Sequence, residues 1–342
     1  MPNRRPRASM LAEFSPANFA IVMATGIVGI AAAQQGYRRL ALVMAALNAI
    51  AWPALVALSA ARVLLHRAAV VADLHSHQRA PGFLTTVAGT GVLATQLIVL
   101  QVGGAAGLVL ACLAPVLWVV LTYGILVTLT IQQDKPVLEE AISGGWLLTV
   151  VSTQSLAVLA ALVASHTPPP ARLALNFSAL ALWLCGGMLY VWIISLIFYR
   201  YTFFGFAPRD FTPTYWINMG AVAISALAGA LLVLNAPEAP FLLQLRAFLM
   251  GGTVLFWAVG TWWIPLLAAL AVWRYVRRRY PLRYEPAYWG AVFPLGMYSA
   301  ATHQMSLALG LRFLAPLALG FFYVAIAAWL LAALGLVLRL RH

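Results

Sequence analysis

The stretch YWGAVFPLGMYSAATHQM, residues 288–305, reads as a membrane-buried helix built to bend beside a bulky ring. Pro294 stands in its interior directly after Phe293, with Gly290 and Gly296 on either side. A proline has no N–H to bond four residues back, and its ring presses on the carbonyl of Gly290. A kink is therefore predicted there, pushing Phe293 to one side.

The rest of the chain supplies the setting for such a helix. Of 342 residues, 63% are hydrophobic and only 8% charged, where a soluble domain carries about a quarter charged residues. Uncharged runs at 40–61, 101–133 and 247–273 exceed the roughly 20 residues needed to cross a bilayer as helix. The composition implies an all-α polytopic membrane protein, folded as one transmembrane domain. Breaks at charges, prolines and glycines predict ten transmembrane helices, paired as hairpins over about 16–61, 82–131, 143–198, 213–273 and 286–338. The start, MPNRRPRASMLAEFSPANFAIVMATG, has the basic-then-apolar order of a signal peptide. Glu13, Pro16 and Asn18 interrupt that order, and the segment fits the repeat described next, so it is read as the first span.

The net charge is +13, from 21 Lys and Arg against 8 Asp and Glu. Sorted by alternate loops, only Arg38, Arg39, Arg172, Arg246 and Arg312 fall on one side, and the other sixteen on the opposite side. The positive-inside rule then puts both termini in the cytoplasm and the protein in the inner, or plasma, membrane. The basic run WRYVRRRY, 273–280, directly follows an apolar span and suits anionic lipid rather than nucleic acid. Cys112 and Cys185 lie in apolar runs as small packing residues. Asp73, His75 and His77 alternate in a loop without further spaced ligands, so neither a metal nor a cofactor is expected.

A repeat runs through the odd-numbered segments. They open SPANFAIVMATG, PGFLTTVAGTG, GGWLLTVVSTQ, TPTYWINMGAV and EPAYWGAVFPLG, each with an early aromatic: Phe19, Phe83, Trp146, Trp216 and Trp289. The intervals between these are 64, 63, 70 and 73 residues, about one helical hairpin each. Seven residues after each aromatic stand Gly26, Thr90, Thr153, Ala223 and Gly296, all small. Four residues after it stand Met23, Val87, Val150, Gly220 and Phe293, with Thr86 and Thr149 adding hydroxyls alongside. Small residues also let membrane helices pack closely. A row shared by five equivalent helices instead suggests a common lumen, in which Phe293 is the largest obstruction.

The segments FSPANFAIVMATGIVGIA, GGWLLTVVSTQSLAVLAAL and YWGAVFPLGMYSAAT resemble the tellurite-resistance/C4-dicarboxylate transporter family. Its relatives include fungal malate permeases, sulfite exporters and the slow anion channels of plant guard cells. The resemblance covers essentially the whole chain. It implies five hairpins in quasi-fivefold symmetry around a central pore, with odd helices inside and even ones outside, and three protomers in a homotrimer. It also implies that Phe293, next to Pro294, occludes the pore. The seventh segment departs from the family pattern: INMGAVAIS, 217–225, stands where many relatives carry Gly-Pro.

No Asp, Glu, Lys or Arg lies in the middle of any predicted span, which argues against a carboxylate relay or an acidic cation filter. Hydroxyls, helix N-termini and basic mouths suit anions better; Arg79, Arg209 and Arg283 precede inner helices and are candidates for such a mouth. His303 and Gln304, late in the ninth segment, are weaker candidates for substrate contact. The expectation is transport of small anions, C4-dicarboxylates such as malate first. Alternatives on the same fold are a proton-coupled alternating-access carrier and an exporter or channel for sulfite, chloride, nitrate or tellurite-related species. A membrane enzyme would need convergent nucleophiles or ligands within the spans, and a sensory or structural subunit would transport nothing alone.

Overall fold

A computed structural model describes residues 11–282 and 284–341. Arg4, Arg5, Arg7 and Arg283, part of the charge asymmetry, lie outside the described residues. Ten long helices follow in order: α1 (Ala20–Gln34), α2 (Arg38–Leu65), α3 (Leu84–Leu100), α4 (Ala106–Ile131), α5 (Leu148–Ser165), α6 (Ala171–Phe203), α7 (Ile217–Asn235), α8 (Arg246–Val272), α9 (Trp289–Leu309) and α10 (Ala315–Arg341).

Among the described residues, nine helices are long and apolar enough to cross a membrane. The exception is α9, whose 21 residues include Pro294, Tyr298, Thr302, His303 and Gln304. Its neighbours explain how such a helix is tolerated. It packs against α1, α7, α8 and α10 and is buried along most of its length, so its polar groups need not face lipid.

The helices sort into two layers. The odd ones are 78–89% buried over their apolar windows where these are counted, against 17–39% for the even ones. Each odd helix packs against the next, α1 on α3, α3 on α5, α5 on α7 and α7 on α9, and α9 returns to α1. Five helices thus form a closed ring of neighbours, each backed by the even helix that follows it in sequence.

Local sequence sets the start of every ring helix. A short 3₁₀ turn precedes each: Pro16–Phe19, Ala80–Phe83, Gly144–Leu147, Pro213–Trp216 and Pro286–Tyr288. Four of them carry proline in the first two positions, where its missing N–H costs nothing. Ser15 and Ser143 cap two of the turns through their hydroxyls, which accept from the N–H of Ala17 and of Gly145. The five turns also contact one another in a closed ring, so all five helices begin at the same end. Gly144 is needed for that contact, because a Cβ there would lie 2.3 Å from the carbonyl oxygen of Thr214. At the far end Gly310, φ 72°, closes α9 in the left-handed conformation that glycine adopts without strain.

Candidate functional site

At the end of the ring where the helices begin lies a cavity of about 300 Å³, lined in part by the first, fourth and fifth turns through Ala17, Thr214 and Pro286. All five ring helices contribute to its wall through Ala20, Thr85, Leu148, Ile217 and Gly290, and its inner end is formed by Met23 and Phe293. Both of these side chains are almost wholly buried, at 2% and 1% exposure. Of the residues expected to line or close a lumen, these two border the cavity. Three hydroxyl-bearing residues, Ser15, Thr85 and Thr214, also line it. The Thr85 hydroxyl donates to the carbonyls of Pro16 and Gly82, tying the first turn to the second.

Five helix N-termini surround this space. Each carries roughly half a positive elementary charge, so together they contribute on the order of +2.5 within the last turn of each helix. Glu285 is the charged side chain in the lining and opposes them with a single negative charge. Of the arginines considered for the mouth, Arg283 lies outside the described residues, and Arg79 and Arg209 are paired within their own segments. Arg79 pairs with Asp73, which also holds the buried Arg62, and Arg209 pairs with Asp210 at 3.7 Å. Arg274, within the basic run, is buried, stacks its guanidinium 4.3 Å from the centre of the Tyr280 ring and donates to the carbonyl of Phe211.

The seven-residue row sits differently from the cavity. Thr90 and Thr153 turn their hydroxyls to the outer layer, accepting from Trp52 Nε1 and Trp118 Nε1 at 2.9 Å each. The glycines mark close helix contacts. A Cβ on Gly26 would meet Val92 at 2.6 Å, one on Gly296 would meet Ile27 at 2.9 Å, and one on Gly220 would meet Pro294 at 2.7 Å. Val87 and Val150 are fully buried, two residues and thus about 200° past the cavity-lining Thr85 and Leu148. Thr86 supplies the carbonyl that Thr90 bonds, Thr149 donates to the carbonyl of Trp146, and Ala223 is buried. His303 and Gln304 are half-buried at the opposite end of α9.

The bonds to Thr90 and Thr153 belong to a set of five. Trp257 Nε1 donates to Thr302 and Trp329 Nε1 to Thr25, while Trp183 Nε1 donates to the backbone carbonyl of Ser225. Each outer helix therefore grips the ring helix of the next hairpin, and α10 closes the set by gripping α1. Reading only the openings of the odd segments misses these tryptophans. Their own intervals, 66, 65, 74 and 72 residues, carry the same period and were the available signal.

Over 141 residues, 41% of this chain and 71% of the relative, the sequence is 42% identical to an uncharacterised membrane protein of Mycobacterium tuberculosis. It is 28% identical over 148 residues to an uncharacterised transporter of Methanocaldococcus jannaschii, covering 43% of this chain and 42% of that protein. A second uncharacterised transporter of that organism is 31% identical over 121 residues, covering 35% and 33%. The family described as voltage-dependent anion channel matches residues 13–337. A ring of five helices, a match along nearly its full length and the resemblance of its first, fifth and ninth helices make this chain a member of the voltage-dependent anion channel family.

Proposed function

We propose that the chain carries small anions across the inner membrane through the axis of the five-helix ring, with Phe293 as the obstruction that must move. The observation that carries this reading is the cavity to which all five ring helices contribute, ending on Phe293 and Met23. At about 300 Å³ it stands at the lower end of the roughly 300–1,000 Å³ typical of ligand pockets. C4-dicarboxylates such as malate are the first-choice substrates.

In this reading the lumen follows the cavity-lining face rather than the row of Gly26, Thr90 and Thr153. It runs from Ala20, Thr85, Leu148, Ile217 and Gly290 to Met23, Ala88, Val151, Ala221 and Phe293, one step of three or four residues deeper on each helix. These residues are small or apolar, so a hydrated anion passing the closed constriction would lose water without compensation. The large ring of Phe293 then sets the barrier. Pro294, itself seated against Gly220 of the neighbouring helix, fixes where that ring sits.

The proposal takes α9 as a tenth span, held at the centre of the ring. The hairpins are quasi-fivefold repeats, both termini are cytoplasmic, and three protomers form a trimer with one pathway each. Cavity and helix N-termini then face the cytoplasm. The test is reconstitution into liposomes and measurement of malate, sulfite, nitrate and chloride flux. Phe293→Ala is expected to raise anion flux several-fold over the wild type. Wild-type and Phe293→Ala protein both indistinguishable from empty liposomes would sink the transport reading. Flux that requires an imposed pH gradient and saturates without channel currents would favour the carrier.

A further inference from the structure

A second and larger cavity, about 730 Å³, lies on the outside of the ring, between the start of α9 and the last turns of α10. Its wall is almost entirely hydrocarbon: Leu282, Ala291, Val292, Leu331, Ala332 and Leu338 are among its residues. Leu331 and Leu338 are also 71% and 47% exposed, so the groove opens sideways along the outer face. One end is polar, carrying Arg339 together with Tyr284 and Tyr288. No carboxylate among the described residues pairs with Arg339. The segment leading into α9 shapes the groove by lying across α10, where Gly335 makes room: a Cβ there would meet the ring of Tyr284 at 2.6 Å.

The dimensions identify the occupant. From Arg339 back to Ala328, the deepest lining position on α10, is eleven residues, or about 16 Å of helix. That is close to half of the roughly 30 Å hydrocarbon core, the depth of a single leaflet. The groove thus begins with a cation at the level of the headgroups and runs as an apolar trough to the bilayer midplane. Arg277 and Arg278 lie on the helix end and bend that lead towards this same segment, adding positive charge around the headgroup level. A phospholipid with one acyl chain in the trough and its phosphate on Arg339 satisfies both ends, and the arginines favour an anionic headgroup.

We infer that this groove is a binding site for an anionic phospholipid of the leaflet in which α10 ends. The inference needs only that the chain spans a bilayer, and it holds whether or not the ring conducts. It adds a consequence for the gate, because Ala291 and Val292 in the groove wall immediately precede Phe293. A bound chain braces the half of α9 that carries the obstruction.

The experiment purifies the full chain from membranes containing phosphatidylglycerol and phosphatidylcholine and counts co-purifying lipid by native mass spectrometry. The probes are Arg339→Gln, which removes the headgroup partner, and Ala328→Trp, which fills the deep end. Arg246→Gln, exposed at the opposite end of α8, serves as a control away from the groove. The wild type and the control are expected to retain phosphatidylglycerol in preference to phosphatidylcholine, and both probes to lose at least several-fold of it while keeping the same helicity and elution. Equal retention by all four proteins would overturn the site. So would equal retention of the two lipids by the wild type. If Leu334→Cys, in a chain with Cys112 and Cys185 replaced by serine, cross-links to a second copy in phosphatidylcholine liposomes, the groove is a subunit interface and the lipid assignment falls.

Discussion

Gly220 of α7 lies directly against Pro294 of α9, so closely that a Cβ on Gly220 would stand 2.7 Å from the proline Cγ and 3.2 Å from its Cα. The kink next to Phe293 is therefore seated in a notch of the neighbouring ring helix. Part of the close contact is to backbone and to a rigid ring, so the strain of a larger residue cannot relax through a flexible side chain. Gly220→Ala is expected to destabilise by about 1–3 kcal/mol through overpacking and to shift the Phe293 ring. Thermal unfolding in detergent reads the first effect, and anion flux in liposomes the second. An unchanged melting temperature would mean that α7 and α9 are free to separate.

The inter-layer tryptophan bonds make a prediction that a packing role alone does not. Trp118→Phe keeps most of the ring but removes the N–H that reaches Thr153. Each such interhelical bond is worth on the order of 0.6 kcal/mol, up to about 1.7, in membrane proteins. Trp118→Phe and Thr153→Val should each lower stability, and the double variant should lose less than the sum of the two. Full additivity in a double-mutant cycle would mean that the bond contributes nothing.

The register of the lumen can be decided by labelling. In a chain with Cys112 and Cys185 replaced by serine and Phe293→Ala opening the pathway, Ala88→Cys is expected to react with a water-soluble thiol reagent. Val87→Cys, one residue earlier, should remain protected. The reverse pattern would restore the row four residues after the aromatics as the pathway wall.

Asp73 holds two arginines, Arg62 and Arg79, where α2 runs into the short helix Arg67–Leu74. Arg62 is 4% exposed in its side chain and also donates to the carbonyl of Ala12, so the pair anchors the segment before the first ring helix. Asp73→Asn leaves a buried guanidinium without its carboxylate, at a cost on the order of 3 kcal/mol. Arg79 is 46% exposed and adds little to that figure. A melting temperature within error of wild type would assign the pair no structural weight.

Much of the helical architecture was legible because membrane burial writes it in composition: long apolar runs, breaks at Pro and Gly, and turn signals ahead of each ring helix. Phe293 stood out for the same reason, a large ring beside a helix-breaking proline. Two features were less accessible. The aromatics used as counting marks are not equivalent positions: the cavity-lining residue follows Phe19, Trp216 and Trp289 by one residue but Phe83 and Trp146 by two. Counting four residues onward from Phe83 and Trp146 therefore lands on Val87 and Val150, one residue short of Ala88 and Val151, while Gly220 is taken up by its contact with Pro294. Small residues compounded this, because Gly26 and Gly296 serve close helix contact and would look the same in a lumen. The count of spans was blurred by α9, whose enclosure lets it carry more polar groups than a lipid-facing helix tolerates.

The bond from Trp329 to Thr25 joins residues 304 positions apart and completes the set only when the final helix is in place. During synthesis the first ring helix must wait in the bilayer, one flank unsatisfied, until the last segment leaves the ribosome. A chain stopped after α8 would present an incomplete stave wall to lipid, with a polar hydroxyl facing hydrocarbon. Closure of the set of five bonds is thus a single late event that waits on the last helix.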